Sequence, residues 1–370
     1  MNHTNSVPLI EITRGNTVES LQYGVVAVVS ADGNLLASSG DADTVTYLRS
    51  SAKPFQVLPF LAAGGVQHFN LSLEEVAIMC ASHTGTDRHV QVVKRILKKI
   101  GLSEEALQCG IHPPGDAATY VRMMRAHEAP TSARHNCSGK HSGFLAFATM
   151  TGAPIDNYLE TANPVQQQIL ANFAEFCNLP VDKVELGIDG CSAPVFAVPM
   201  QNAALAMARL VDPEYSPVHM KSACRTVVEA IQAYPELIAG PGRFDTRLIE
   251  CGKNRWILKA GAEGYQIIGI LPGVLSPGSP GVGIAIKVSD GDLMRQTPAT
   301  DARIEDLESP KGNPGGRSIP LVTLEVLRQL QILPGECQEA LKAFDRRPVY
   351  NWQKLPVGEI RPCFTLQRYP

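Results

Sequence analysis

Two periodicities divide the chain into zones. Residues 23–30 are almost continuously apolar and rich in Val, the polar turn Ala31-Asp32-Gly33-Asn34 follows, and residues 35–39 resume the apolar pattern. Such runs on either side of an Asp-Gly turn predict a hairpin, read here as lying at the edge of a sheet. Helical spacing takes over at Ser51. Residues 51–58 read as a helix with Pro54 in its first turn, and Pro59 is expected to end or kink it. Ser72 and Glu75 predict a capping box for a helix running to Met79. Val90, Val93, Leu97 and Ile100 fall on one helical face, and Lys94, Arg95 and Lys98 cover the other as solvated surface. Asn163-Pro164 supplies an N-cap and first residue for a helix that turns Val165, Ile169, Phe173 and Phe176 inward. A further helix over about 217–234 stops at Pro235. Strand patterns then return at 256–260 and 265–271, joined by Gly261-Ala262-Glu263-Gly264, and at 281–288 before Asp290-Gly291. Residues 275–281 and 308–316 read as Pro/Gly-rich loops, and 318–330 as a last helix.

Strands at both ends with helices over roughly 51–235 between them predict an α+β fold rather than alternating β/α. The sheet would be antiparallel and assembled from both termini, in a single domain spanning 1–370, with residues 1–8 expected to be disordered. At 44% hydrophobic residues the chain can build a substantial core. A net charge of −3 gives no electrostatic case for nucleic acid or an anionic membrane. No run approaches the roughly eighteen apolar residues of a membrane span, and the first residues lack the basic and apolar regions of a secretion signal. The expectation is a soluble cytoplasmic protein. Its nine cysteines are scattered, which favours thiols or metal ligands over a disulfide framework. Cys80, Cys177 and Cys224 sit in apolar or helical runs and read as packing residues.

Candidate chemistry gathers at five places. Ser50 and Lys53 are three residues apart at the start of an apolar helix, which puts hydroxyl and amine one turn apart. Lys259 ends a strand-like run far downstream. Penicillin-binding proteins and serine β-lactamases combine S-x-x-K with a strand-borne K-T-G; here Ala260 replaces the Thr. A serine needs a base to become a nucleophile, and a desolvated lysine beside another cation can be that base. Arg49 is placed to meet a substrate carboxylate. Ser82-His83 follows the helix ending near Met79, in a crowd of small polar residues. The segment His135-Asn136-Cys137-Ser138-Gly139-Lys140-His141 and the knot Asp189-Gly190-Cys191 bring two cysteines that suit a soft divalent metal such as Zn. Spacing alone makes His141 the third ligand, and a Cys137–His141 nucleophilic pair is the other reading of the same residues.

Taken together, Arg49-Ser50-Ser51-Ala52-Lys53, Cys80-Ala81-Ser82-His83, the 135–141 segment, Gly187-Ile188-Asp189-Gly190-Cys191 and Lys259-Ala260-Gly261-Ala262-Glu263-Gly264 resemble the bacterial L-asparaginase II family, of the rhizobial inducible, thermolabile type. The resemblance implies a serine β-lactamase-like fold, related to glutaminases, and hydrolysis of asparagine to aspartate and ammonia. It implies Ser50 as nucleophile with Lys53, and Ser82 with Lys259 as a second tandem. It implies Cys137, Lys140 and Cys191 as ligands of Zn2+, so that lysine replaces His141 in that set. It also implies Arg49, His141 and Asp189 around the substrate, and a homodimer; His83, beside Ser82, is read as lining the same substrate pocket. The alternatives are a glutaminase or other serine amidase of the same fold, and a non-catalytic zinc- or thiol-dependent binding protein.

Overall fold

The structure is a computed structural model and describes residues 5–292 and 318–370. The N-terminal zone forms β1 (Val7–Arg14), β2 (Thr17–Ser30), β3 (Leu35–Ser39) and β4 (Val45–Tyr47). Val7 and Pro8, expected to be disordered, are the first residues of β1. A helical stretch follows: α1 (Lys53–Ala62), α2 (Gly65–His68), α3 (Leu73–Met79), α4 (Asp87–Lys99), α5 (Ala117–Arg125), α6 (Ser138–Thr151) and α7 (Pro164–Phe176). Next come β5 (Glu185–Ile188), β6 (Pro194–Pro199), α8 (Met200–Val211), α9 (Lys221–Ala233), α10 (Pro235–Ile238) and α11 (Phe244–Gly252). The chain returns to strands with β7 (Trp256–Gly261), β8 (Tyr265–Ile270) and β9 (Val282–Val288). After the helices Ile319–Gln329 and Gly335–Ala340 it closes with β10 (Arg347–Tyr350), β11 (Pro356–Pro362) and β12 (Gln367–Arg368). The predicted loop at 308–316 lies outside the described residues.

The large sheet is antiparallel, in the order β10-β11-β1-β2-β9-β8-β7, with β3 on β2 and β12 on β3. Strands from both ends of the chain thus share one sheet, and the fold is α+β with a helical layer. The hairpin expected at an edge is at the centre instead. The first half of the 14-residue β2 pairs with β1, its second half pairs with β3, and β9 occupies its other side. Residues 24–30 are buried at every position, so both faces of this part of the strand are covered, α8 lying on β2, which is why the run reads as continuously apolar rather than alternating. β4, β6 and β5 form a separate three-stranded sheet within the helical zone.

α8 lies directly on β8 and β9. Gly269 and Gly283 face each other across the ladder, and a Cβ at Gly283 would collide with the Ala204 carbonyl. Side chains alternate along a strand and match across a pair. Lys259 is therefore on the same face as Ile257, Gly269 and Gly283, toward the helical layer. The Ile319–Gln329 helix packs against β9, β1 and β11, and α11 packs along β7.

α1, which carries Lys53, is continuous through Pro59, contrary to the expected break. A proline at this position leaves the Phe55 carbonyl without its helical donor. Asn172 of α7 supplies one, its Nδ2 donating to that carbonyl at 3.1 Å. The Ser72/Glu75 capping box and the Asn163 cap of α7 form as predicted. Cys251 at the end of α11 is disulfide-bonded to Cys337 of the Gly335–Ala340 helix, which the sequence reading did not expect. Cys80, Cys177 and Cys224 are buried free thiols. Among the described residues, no helix is long and apolar enough to cross a membrane.

Candidate active site

Residues Arg49–Ala52 form a single 3-10 turn that leads into α1. Arg49 holds φ at +51°, a left-handed conformation that costs a non-glycine residue free energy and survives only where the surroundings enforce it. Those surroundings are on both sides. The Leu48 N–H donates to Phe196 O of β6 at 3.0 Å, and Ser51 Oγ donates to Lys259 O of β7 at 2.7 Å. Gly261 lets β7 come this close, because any Cβ there would strike the Leu48 carbonyl. Ser51 is thereby consumed in holding the turn. Ser50 lines a cavity of about 310 Å³ together with Ser82, Asn136 and Lys259.

The two lysines differ from the expected tandems. Lys53 Nζ donates to Ala81 O at 2.6 Å, Ser82 Oγ at 2.8 Å and Asn136 O at 3.3 Å. Its three protons are thus all placed, and none reaches Ser50. Lys259 Nζ donates to Ala260 O at 2.7 Å rather than to Ser82. Burial and the nearby Lys53 charge push Lys259 down to about 7, against the opposing pull of Asp245, Cys137 and Cys80. Asp245 Oδ2 also accepts the Ala260 N–H at 2.9 Å, tying α11 to the strand that carries the lysine.

His83 is buried behind the site. It accepts the Gly85 N–H at Nδ1 (3.2 Å), so Nε2 carries the proton and donates to Ser138 Oγ (2.9 Å), which donates to Ala133 O (2.8 Å). Burial, with His89 and Lys53 beside it, holds His83 well below its ordinary value, and it is a neutral brace. His141 shares a 2.7 Å hydrogen bond between Nδ1 and the Tyr158 hydroxyl, and its Nε2 has no partner. Arg49 Nε donates to Asp189 Oδ1 at 2.7 Å, so the two groups expected to hold opposite ends of a substrate hold each other.

Cys137, Lys140 and Cys191 do come together. Cys137 and Cys191 are hydrogen-bonded, and Lys140 Nζ lies 2.9 Å from Cys191 Sγ. The Cys191 hydrogen bond holds the Cys137 thiol well below its usual range despite burial, with Lys53 and Lys140 adding to the effect. Cys191 is pushed up by the same bond and by burial. Burial opposes the Lys140 ammonium, yet the two cysteines keep it raised. Among the described residues, no three His, Cys, Asp or Glu side chains converge on a metal site. Two sulfurs and an amine that has lost its proton nonetheless form a donor set that fits a soft divalent ion.

Sequence reasoning missed Arg243, Asp245 and Gln266, which line the same cavity. The run Gly240-Pro241-Gly242 ahead of Arg243 was the available signal, since such a breaker next to charged residues marks a formed loop.

The L-asparaginase II family model matches residues 10–316. The chain belongs to the L-asparaginase II family and is an amidohydrolase. Among solved structures, a probable glutaminase from Bacillus subtilis complexed with 6-diazo-5-oxo-L-norleucine is similar at 11% identity and a TM-score of 0.38, over 84% of each chain. The covalent complex of a Bacillus subtilis glutaminase with 5-oxo-L-norleucine is similar at 11% identity and a TM-score of 0.31, over 72% of this chain and 80% of that one. Overlaps this loose carry no argument about activity. No curated protein matches the chain.

Proposed function

We propose that the protein is an L-asparagine amidohydrolase that releases aspartate and ammonia through an acyl-enzyme on Ser50. The observation that carries this reading is the division of labour between the lysines. Lys259, pushed down to about 7, can accept a proton near neutrality. Lys53 is held by three acceptors, Ala81 O, Ser82 Oγ and Asn136 O, and so serves Ser82 rather than Ser50. Ser50 Oγ attacks the side-chain amide carbon as its proton passes to Lys259. Backbone N–H groups near the start of the 49–52 turn, other than that of Ser51, which donates to Leu48 O at 3.1 Å, would stabilise the charge that develops on the amide oxygen. Because Lys53 donates to Ser82 Oγ, the Ser82 proton is free for the departing ammonia. Water then hydrolyses the ester as the same groups act in reverse. In this scheme Lys53 serves Ser82, which exchanges the partners that the sequence suggested.

Cys137, Lys140 and Cys191 would hold Zn2+, and a bound zinc would supply positive charge that orients the polar end of the substrate. Family membership also motivates a homodimer and a cytoplasmic location as parts of the same proposal. A glutaminase is the second reading, favoured by the room in a cavity of about 310 Å³. One methylene changes discrimination by only about 1–3 kcal/mol.

Ammonia release from asparagine and glutamine, compared in the wild type and Ser50→Ala, tests the proposal. Release from asparagine that falls by more than about a thousandfold in Ser50→Ala supports it. Release from glutamine alone keeps the chemistry and changes the substrate. Full activity in Ser50→Ala removes the serine mechanism.

A further inference from the structure

The cavity continues past Ser50, Ser82 and Lys259 around β7, the last strand of the sheet. Lys259 faces the helical layer, whereas Ala260 and its cross-strand partner Gln266 face the other way. Both Lys259 and Gln266 line the cavity, so it reaches both sides of the sheet. In its far half Phe244, Ile319 and Pro320 form apolar walls beside Gln266. A volume of about 310 Å³ falls in the range of pockets that hold drug-sized ligands. A single free asparagine beside Ser50 therefore leaves the far half for something else.

Gln266 is fully buried, and among the described residues neither its amide nitrogen nor its amide oxygen has a hydrogen-bond partner. An orphaned amide is costly at donor and acceptor alike, and native proteins rarely keep one without a use. The two atoms together select the chemistry that would satisfy them. An anion pairs with the nitrogen but meets the amide oxygen with like polarity. A cation pairs with the oxygen and leaves the nitrogen without an acceptor. A neutral group with a donor and an acceptor side by side pairs with both. In an extended peptide the N–H and C=O of one residue point to the same side and make such a pair. The charged ends of free asparagine find less support here. Arg49 and Asp189, which the sequence suggested for them, hold each other, and neither lines the cavity.

We propose that the far half of the cavity is a peptide subsite, in which Gln266 pairs with the backbone N–H and C=O of an apolar residue joined to the reacting asparagine. The proposal deepens the amidohydrolase reading and rests on it for the reaction. Ser50 attacks the asparagine side-chain amide, ammonia leaves, and water releases an aspartyl peptide with its peptide bond intact. The side chain of the neighbouring residue lies against Phe244, Ile319 and Pro320.

Ammonia release and product mass are compared for asparagine, glutamine, acetyl-leucyl-asparagine and asparaginyl-leucine methylamide with the full-length protein. At least one of the peptides is expected to show a kcat/KM no lower than that of asparagine, with the aspartyl peptide as product. The peptide that is used identifies the end of asparagine that points into the far half. Gln266→Met keeps the length of the side chain and removes its amide. In this variant the ratio of kcat/KM for the peptide to that for asparagine is expected to fall by about tenfold or more. The unliganded variant is expected to melt no lower than the wild type, because an unsatisfied amide has been removed.

Release from asparagine with neither peptide used overturns the proposal, and this comparison needs no variant. An unchanged ratio in Gln266→Met also overturns it, as does a large fall in melting temperature, which would show an amide bonded within the protein. Release from a peptide but from neither free amino acid supports the subsite and overturns free asparagine as the substrate. Release from none of the four compounds overturns both.

Discussion

Two lysines buried in one site cannot both hold a proton without cost, and the hydrogen bonds show which one yields. Lys53 has an acceptor for every proton, whereas Lys259 has one carbonyl and a cation for a neighbour. The acid limb of kcat/KM is accordingly expected near pH 7, with activity rising as Lys259 deprotonates. Asp245→Asn keeps an acceptor for the Ala260 N–H but removes a charge that raises Lys259, so the limb is expected to move to lower pH. A limb that stays in place after this change excludes Lys259 as the titrating group. The stability consequence has a definite sign. Between about 7 and its ordinary 10.5, the unfolded chain keeps a proton on Lys259 that the folded protein has released. Stability from this group therefore rises with pH across that window, and its burial cost is greatest below about 7.

Zinc follows the same reasoning on the other side of the site. Lys140 must lose a proton that both cysteines help it keep. Zinc affinity is thus expected to climb with pH and to fall sharply in Cys191→Ala, measured as metal retained after dialysis and as the rise in melting temperature on adding zinc. The residues themselves were legible in the sequence, but their pairing was not. One-turn spacing assumes an α-helix, whereas Ser50 sits in a 3-10 turn with a left-handed Arg49 before it, so its relation to Lys53 is not that of two residues on one helical face.

Elements that depend on neighbours in the chain were readable. The Ser72/Glu75 box and the Asn163-Pro164 cap satisfy helix ends within four residues, so sequence alone specifies them. Elements that depend on distant partners were not. The pairing of β2 with β9 is set by a chain segment hundreds of residues away, and the short β4-β6-β5 sheet has no turn between β4 and β6 to announce it. Pro59 shows the same limit inside a helix, where the rescue comes from α7. Asn172→Ala leaves the Phe55 carbonyl buried and unpaired, and is expected to cost about 1–3 kcal/mol in urea unfolding. Because α1 carries Lys53 at its first residue, the substitution is also expected to lower kcat more than it raises KM. A variant as stable as the wild type would mean that water or a shift of the helix satisfies that carbonyl.

At the scale of the molecule, a sheet built from both termini depends on late elements staying against early ones, and the Cys251–Cys337 bond ties two of the late elements together. It joins the helix that carries Asp245 to the segment that leads into β10 and β11, across 86 residues of sequence. The two-ended sheet was visible as strand patterns on either side of a helical zone, but no spacing rule pairs two cysteines that far apart. Closing a loop of this size restricts the unfolded chain by about 4–5 kcal/mol in the chain-entropy account. Reduction, or Cys337→Ser, is therefore expected to lower the denaturation midpoint substantially. Asp245 stays bonded to β7 through the Ala260 N–H without help from the disulfide, so kcat/KM at 25 °C is expected to be unchanged while the protein remains folded. Thiol titration of the denatured protein should rise from seven to nine on reduction, the seven free thiols plus the two of the bridge. In a reducing cytoplasm the bridge would open, and the expected cost falls on stability rather than turnover. Loss of activity on reduction with the midpoint unmoved would show instead that α11 is positioned through this bond.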